Sequence, residues 1–507
     1  MNALSTTISI SLITLLALLT ACSPSLTEEE LLARARAAFE TGDVAAAELD
    51  VKSALQQNVE NPAARQLYGE IYLWQIKPDA AVGEFERALR RGDGAEVRLL
   101  LAKALVQAGE SAELVSEYEA GSYATLDGRA EFQAAVARAY LAQVDAEAGK
   151  ALLDQIDEQG NDYVDITRAI YALQVGKDVD GARETLLAVT QRSPRNAHAW
   201  SLLGIIANSK NDRAASEEYF GKAAEINPYR LGDRLEQVNA LLRQGKSQAA
   251  AENLAGLERL IPKYPEVNFM RGQLLFDEER YKEAVDSFAL VLQAQPTHLG
   301  ALLLSANANI QIGNNTSAQR QLADFLSLQP GHLQASLQLG RLLLEDGQGQ
   351  RAEELARSAI MANEGNPGPT ELLAASLALQ GRHIESAQVY QDLAQLQPES
   401  SEALVALGTQ QLVAGDSDAA IARLEEAVNL DPDNGRAHQR LIEAQLALRN
   451  TDAALEASNT YREQAPGSPE ARIYTGRVYL AMEDYDAARK EFDAALALDP
   501  GSAAATS

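Results

Sequence analysis

Residues 197–230 read AHAWSLLGIIANSKNDRAASEEYFGKAAEINPYR. Ala recurs through both of its apolar runs, and Asn211-Asp212 interrupts them where a chain turns. This predicts a helix from Ala197 to about Lys210, a turn, and a second helix from Arg213 to about Ile226. Gly204 leaves room for the second helix to approach closely, and Trp200 and Phe220 are expected to fill the space between the two. Pro228 ends the pair, because proline clashes with the preceding helical turn and drives Asn227 towards an extended conformation. One such pair cannot bury its own apolar face and needs neighbours.

The prolines supply the evidence for neighbours. Pro194, Pro228, Pro262, Pro296 and Pro330 are 34 residues apart, and Pro398, Pro432, Pro466 and Pro500 continue the ruler, with Glu364 as its one break. The residues Trp200, Leu203, Gly204, Phe220, Ala223 and Pro228 resemble the tetratricopeptide (TPR) pattern W-x2-L-G…F…P, lacking only its Tyr and first Ala, here Ala207 and Ser216. The resemblance implies an all-α solenoid, a right-handed superhelix of antiparallel helix pairs. Extending the register gives fourteen units: 28–61, 62–94, 95–128, 129–162, 163–196, 197–230, 231–264, 265–298, 299–332, 333–366, 367–400, 401–434, 435–468 and 469–502. Units 95–128 and 129–162 are degenerate, and 503–507 is a tail. A second period lies inside the first: Gly204, Gly272, Gly340, Gly408 and Gly476 are 68 residues apart. Glycine inside a helix costs up to ~1 kcal/mol relative to alanine, so its regular use points to a packing need or to duplication of a two-unit block. No polar capping helix follows the last unit, so that end is expected either to be capped by its own polar substitutions or to meet a partner.

A net charge of −28 argues against nucleic acid, whose phosphates need clustered Lys and Arg, and against an anionic bilayer surface. The single cysteine excludes an internal disulfide. It follows an apolar run, Ile8–Ala21, too short to span a bilayer comfortably. Leu19-Thr20-Ala21-Cys22 resembles the lipobox of bacterial lipoproteins, which implies a signal peptide over 1–21, a lipid on Cys22 and a short tether over 22–27. Ser23 after the cysteine implies sorting to the outer membrane, facing the periplasm. Several acyl chains, at about 0.8 kcal/mol per buried CH2, anchor stably. Met1–Thr7 departs from the signal pattern in having no Lys or Arg.

No catalytic motif is present: there is no H-E-x-x-H, G-x-S-x-G or cysteine pair, and neither a cofactor nor a metal is expected. Gly245-Lys246-Ser247 occupies an interhelical turn, not a strand-to-helix phosphate loop. His298 and His332, each two residues after a proline, read as inter-unit loop residues. Acidic pairs such as Glu217-Glu218 fall on solvated helix faces, unsuited to general acid–base work. Binding remains. In TPR proteins the ninth residue of each first helix faces the groove; carried over, this selects Ile205, Asn239, Gln273, Asn307, Arg341, Thr409 and Arg477 as contacts for an extended peptide or a polysaccharide. The Lys/Asn clamp for C-terminal carboxylates is absent.

The stretch LLARARAAFETGDVAAAELDVKSALQQNVENPAARQLYGEIYLWQ, then LLLAKALVQAGE, resembles the start of the PEP-CTERM system TPR-repeat lipoproteins, which accompany exosortase sorting and exopolysaccharide loci. The resemblance implies a non-enzymatic protein-interaction scaffold that assists polysaccharide export or sorting of C-terminally tagged proteins, with protein or peptide partners and a lipid anchor. The alternative is a TPR lipoprotein piloting assembly of an outer-membrane secretin or pilus pore.

Overall fold

The computed structural model describes residues 26–92, 94–143 and 145–500; Cys22, the signal peptide and the 503–507 tail lie outside the described residues. Among the described residues the chain is all α, with 28 α-helices and no strand. It divides into two compact units, 1–262 and 263–507, each a solenoid of seven helix hairpins.

In the first unit the hairpins run from Glu28–Thr41 with Val44–Gln57 to Leu231–Arg243 with Ser247–Leu260. The first helix opens on a capping box, Thr27 and Glu30 each satisfying the other's backbone N–H. From Ala197 onward every first helix is 13 residues long and every second helix 14. Asn or Asp caps recur for a physical reason. The Asn196 carboxamide accepts from the Ala199 N–H and also donates to Asp162 at 3.3 Å, one repeat back, so one side chain starts a helix and ties it to its neighbour. The interhelical turns close tightly: the Asp212 N–H donates to the Ala207 carbonyl at 2.9 Å, and Asn211 takes a left-handed conformation, φ +56°.

Two hairpins of this unit depart from the pattern. Their second helices, Ser111–Glu119 and Ala146–Asp154, have only 9 residues each. After the first of them the chain makes a single 3-10 turn, Ala124–Leu126, and drops Tyr123 and Leu126 into the core where the missing turn of helix would have packed. The Tyr123 ring lies 5.0 Å from Phe132. The next first helix, Asp162–Tyr171, runs into a π-helical turn, Ala172–Gly176.

In the second unit the hairpins run from Pro265–Asp277 with Tyr281–Ala294 to Pro469–Ala481 with Tyr485–Leu498, without interruption. Loop side chains again join neighbours, as where the Asn434 amide donates to Ser401 at 2.8 Å. His298 and His332 do more than connect units. Each accepts a backbone N–H through its Nδ1, from Ala301 at 3.1 Å and Ala335 at 3.2 Å, and so caps the helix it precedes.

The 68-residue glycine period has a steric basis. A methyl group at Gly204 would lie 2.8 Å from the Phe220 ring, closer than any side chain tolerates, so the aromatic ring fills the space glycine leaves. Gly340 meets a different neighbour: there the intruder is Leu372 of the following hairpin, at 2.3 Å. Phe220 is buried between its helices as expected, whereas Trp200 is only half-buried. Its indole N–H donates to the Pro194 carbonyl at 2.8 Å and Lys222 lies over its ring, so the tryptophan fastens the hairpin to the preceding loop. No helix among the described residues is long and apolar enough to cross a membrane.

Candidate functional site

The ninth residues of the first helices are spread over both units. In the first, Ile205 is half exposed, and Asn239 is half-buried beside Glu236, its amide 3.5 Å from that carboxylate. In the second, Gln273 is half-buried, and the Asn307 amide oxygen is buried with no hydrogen-bond partner. Arg341 is exposed; Thr409 spends its hydroxyl on the Val405 carbonyl at 2.7 Å; Arg477 is exposed and lies 5.3 Å from the Tyr474 ring centroid. They recur along the stack and do not converge on one cavity.

Convergence occurs elsewhere, inside the first unit. There the chain curves until the Asn227 amide donates to the Trp74 carbonyl at 2.9 Å, a contact between residues 153 apart in sequence. The Arg195 guanidinium reaches the turn at Gly42, where a side-chain carbon would lie 3.7 Å from it. Gly42 itself has φ +89°, which suits glycine. Beside the Asn227–Trp74 hydrogen bond lies a cavity of about 740 Å³. Its lining includes the apolar side chains of Phe39, Leu73, Trp74 and Val106, and the Phe39 and Trp74 rings meet edge to face at 6.3 Å. It also includes Arg138, Arg195, Arg230 and His198.

The tetratricopeptide-repeat family models match residues 38–104, 166–230, 235–298, 303–367, 411–473 and 469–502, well over half of the sequence. The chain belongs to the tetratricopeptide-repeat family. No curated protein matches this TPR protein. Among solved structures it is similar to the APC/C hetero-tetramer Cut9–Hcn1, at 14% identity over 99% of this chain and 98% of that one, with a TM-score of 0.32. Yeast Tom70 aligns at 16% identity over 84% and 96%, TM-score 0.31. Pseudomonas aeruginosa pilF aligns at 20% identity over 41% and 95%, TM-score 0.32.

The electrostatics of the TPR protein's cavity follow from its neighbours. Arg230 is paired with Asp233, whose other oxygen accepts from the Ser201 hydroxyl at 2.6 Å. Among the described residues Arg138 has no carboxylate partner; it lies over the Tyr163 ring, 5.5 Å from its centroid, and Lys103 lies 4.8 Å from the same centroid. Lys103 is itself paired with Glu131. Burial works to raise the Glu131 carboxyl, but the hydrogen bond and charge of Lys103, with the Asn161 amide, outweigh it and hold the pKa below its usual value. Burial pushes the His198 pKa down to about 3, with the charges of Arg138 and Arg230 adding to the effect, so the imidazole is neutral near pH 7. Glu70 is the one carboxylate in the cavity lining among the described residues, against three guanidinium groups in that lining.

None of Arg138, Arg195, Arg230 or His198 stands at a ninth position, which is why a groove rule read from one repeat misses them. A signal was present: Arg195 and Arg230 sit in the loops on either side of the hairpin that carries the repeat pattern, one and two residues after a loop proline respectively.

Proposed function

We propose that this TPR protein is a scaffold that acts by binding, lipid-anchored through Cys22 to the periplasmic face of an outer membrane, where it assists polysaccharide export or the sorting of C-terminally tagged proteins. The observation that carries the binding part is the cavity of the first unit. It joins an apolar wall to unpaired guanidinium groups, and has no nucleophile aligned with a base and no pair of carboxylates with separated pKa values. The anchor and location rest on Leu19-Thr20-Ala21-Cys22 and Ser23, and the biological setting on the resemblance of the first two hundred residues. Metabolic labelling with a radioactive fatty acid tests the anchor: the label is expected on the native chain and lost in Cys22→Ala. Cross-linking in intact cells followed by capture from solubilised outer membrane tests the setting. Exosortase-linked or polysaccharide-export proteins are expected among the captured partners; secretin or pilus subunits in their place would overturn it.

A further inference from the structure

We propose that the cavity beside the Asn227–Trp74 hydrogen bond is a binding site for a carboxylate that carries an apolar group on a neighbouring carbon. That chemistry is shared by the C-terminal residue of a polypeptide ending in a large apolar side chain and by a free arylalkanoic acid.

Charge argues first. The protein carries a net charge of −28, so its field repels anions in general, and an anion is held only where guanidinium groups outnumber carboxylates locally. The cavity is such a place. Arg138 and Arg195 make no ion pair among the described residues, and only Glu70 among the wall residues opposes them. An unpaired guanidinium in a concave, partly apolar site is strongly directed towards an oxyanion, and its planar fork suits a carboxylate held by two parallel hydrogen bonds.

Shape and polarity argue next. The volume of about 740 Å³ is within the range of sites for small ligands and single side chains. The apolar side chains of Phe39, Leu73, Trp74 and Val106 line the same cavity as the guanidinium groups, so a ligand needs an anionic end and an apolar body close together. A free phosphate or sulfate leaves the aromatic wall unused, and a long acidic segment leaves most of its charges facing the protein's own acidic surface. His198, neutral and in the same lining, can hydrogen-bond without adding charge.

The cavity also depends on curvature in a way that a ninth-position groove does not. Its walls come from the first six repeats, joined where residues 153 apart make a hydrogen bond. The site deepens the reading of the protein as a scaffold and rests on it.

The test is titration calorimetry on the full chain with three probes: N-acetyl-phenylalanine, its C-terminal amide, and 3-phenylpropionate. One saturable site for N-acetyl-phenylalanine is expected, weakened at least tenfold by amidation. Arg195→Gln and Arg138→Gln are each expected to weaken it at least tenfold, and Arg341→Gln, an exposed arginine of the second unit, to leave it unchanged. Arg195 is exposed, so its substitution keeps the fold and carries the test even where Arg138→Gln does not. Equal affinity for 3-phenylpropionate assigns the site to free acids; preference for N-acetyl-phenylalanine assigns it to chain ends. No saturation with either acid, or binding that survives amidation and both substitutions, overturns the proposal. No acid binding by the native chain, with the captured outer-membrane partners retained, would sink the site and leave the scaffold standing.

Discussion

The two units contain the same number of hairpins and use them differently. The second repeats 13- and 14-residue helices without change, and its neighbouring hairpins are tied by short loop contacts such as Asn434 to Ser401. The first contains two 9-residue second helices, a 3-10 turn and a π-helical turn, and its Asn227 meets Trp74 across four repeats. Regular repeats set out one ninth-position side chain per hairpin, which spreads binding capacity thinly. Irregular ones bring residues from six successive repeats to one cavity, and the unpaired arginines collect there.

This contrast can be broken at several points. Phe132 lies in the irregular stretch and Phe288 in the regular one, both fully buried. Phe132→Ala and Phe288→Ala are each expected to cost about 3–5 kcal/mol, read from urea midpoints. A cost below ~1 kcal/mol at Phe132 would show that the Tyr123–Leu126 plug is not a packed core.

Acid should distinguish the units next. The folded pKa of His198, about 3, is below its unfolded value of about 6.5, so the unfolded chain binds the proton first. Stability is therefore lost as pH falls below about 6.5 towards 3, by on the order of 1 kcal/mol per pH unit. The charges acting on His198 are those of Arg138 and Arg230, and Arg195 and Glu70 line the same cavity. His198→Gln should flatten the dependence of Tm on pH between 6 and 4; an unchanged slope would place the acid-sensitive groups elsewhere.

Asn227→Ala tests the closure itself. It removes one hydrogen bond, at about 1 kcal/mol, and should speed hydrogen exchange at the amides around Trp74 while leaving those of the second unit unchanged. In the second unit, Glu279 holds φ +59° at the turn position where the next hairpin has Gly313. Glu279→Gly relieves the left-handed strain and should change stability by less than about 1 kcal/mol, in the stabilising direction, by urea denaturation. Smallest of all, Lys150→Ala removes an exposed ion pair with Asp154 and should cost no more than about 0.5 kcal/mol, lost in high salt.

Much of this molecule is legible from the chain alone. The proline ruler and the Leu203-Gly204…Phe220 spacing determine the all-α hairpin stack, because helix periodicity, turn chemistry and the steric demand of a ring on a glycine all act within one repeat and its neighbour. The His298 and His332 caps were hidden, since a capping imidazole and a loop imidazole look alike until the helix start is placed. Of the candidate site, the ninth-position row could be written down beforehand, but the cavity could not. Whether Arg138, Arg195, Arg230 and His198 line one cavity depends on how far seven hairpins rotate together. Small angular differences at the two shortened helices accumulate over the stack, and no residue-by-residue pattern records that sum. Local sequence set the repeat; only the tertiary curvature decided which distant residues face one another.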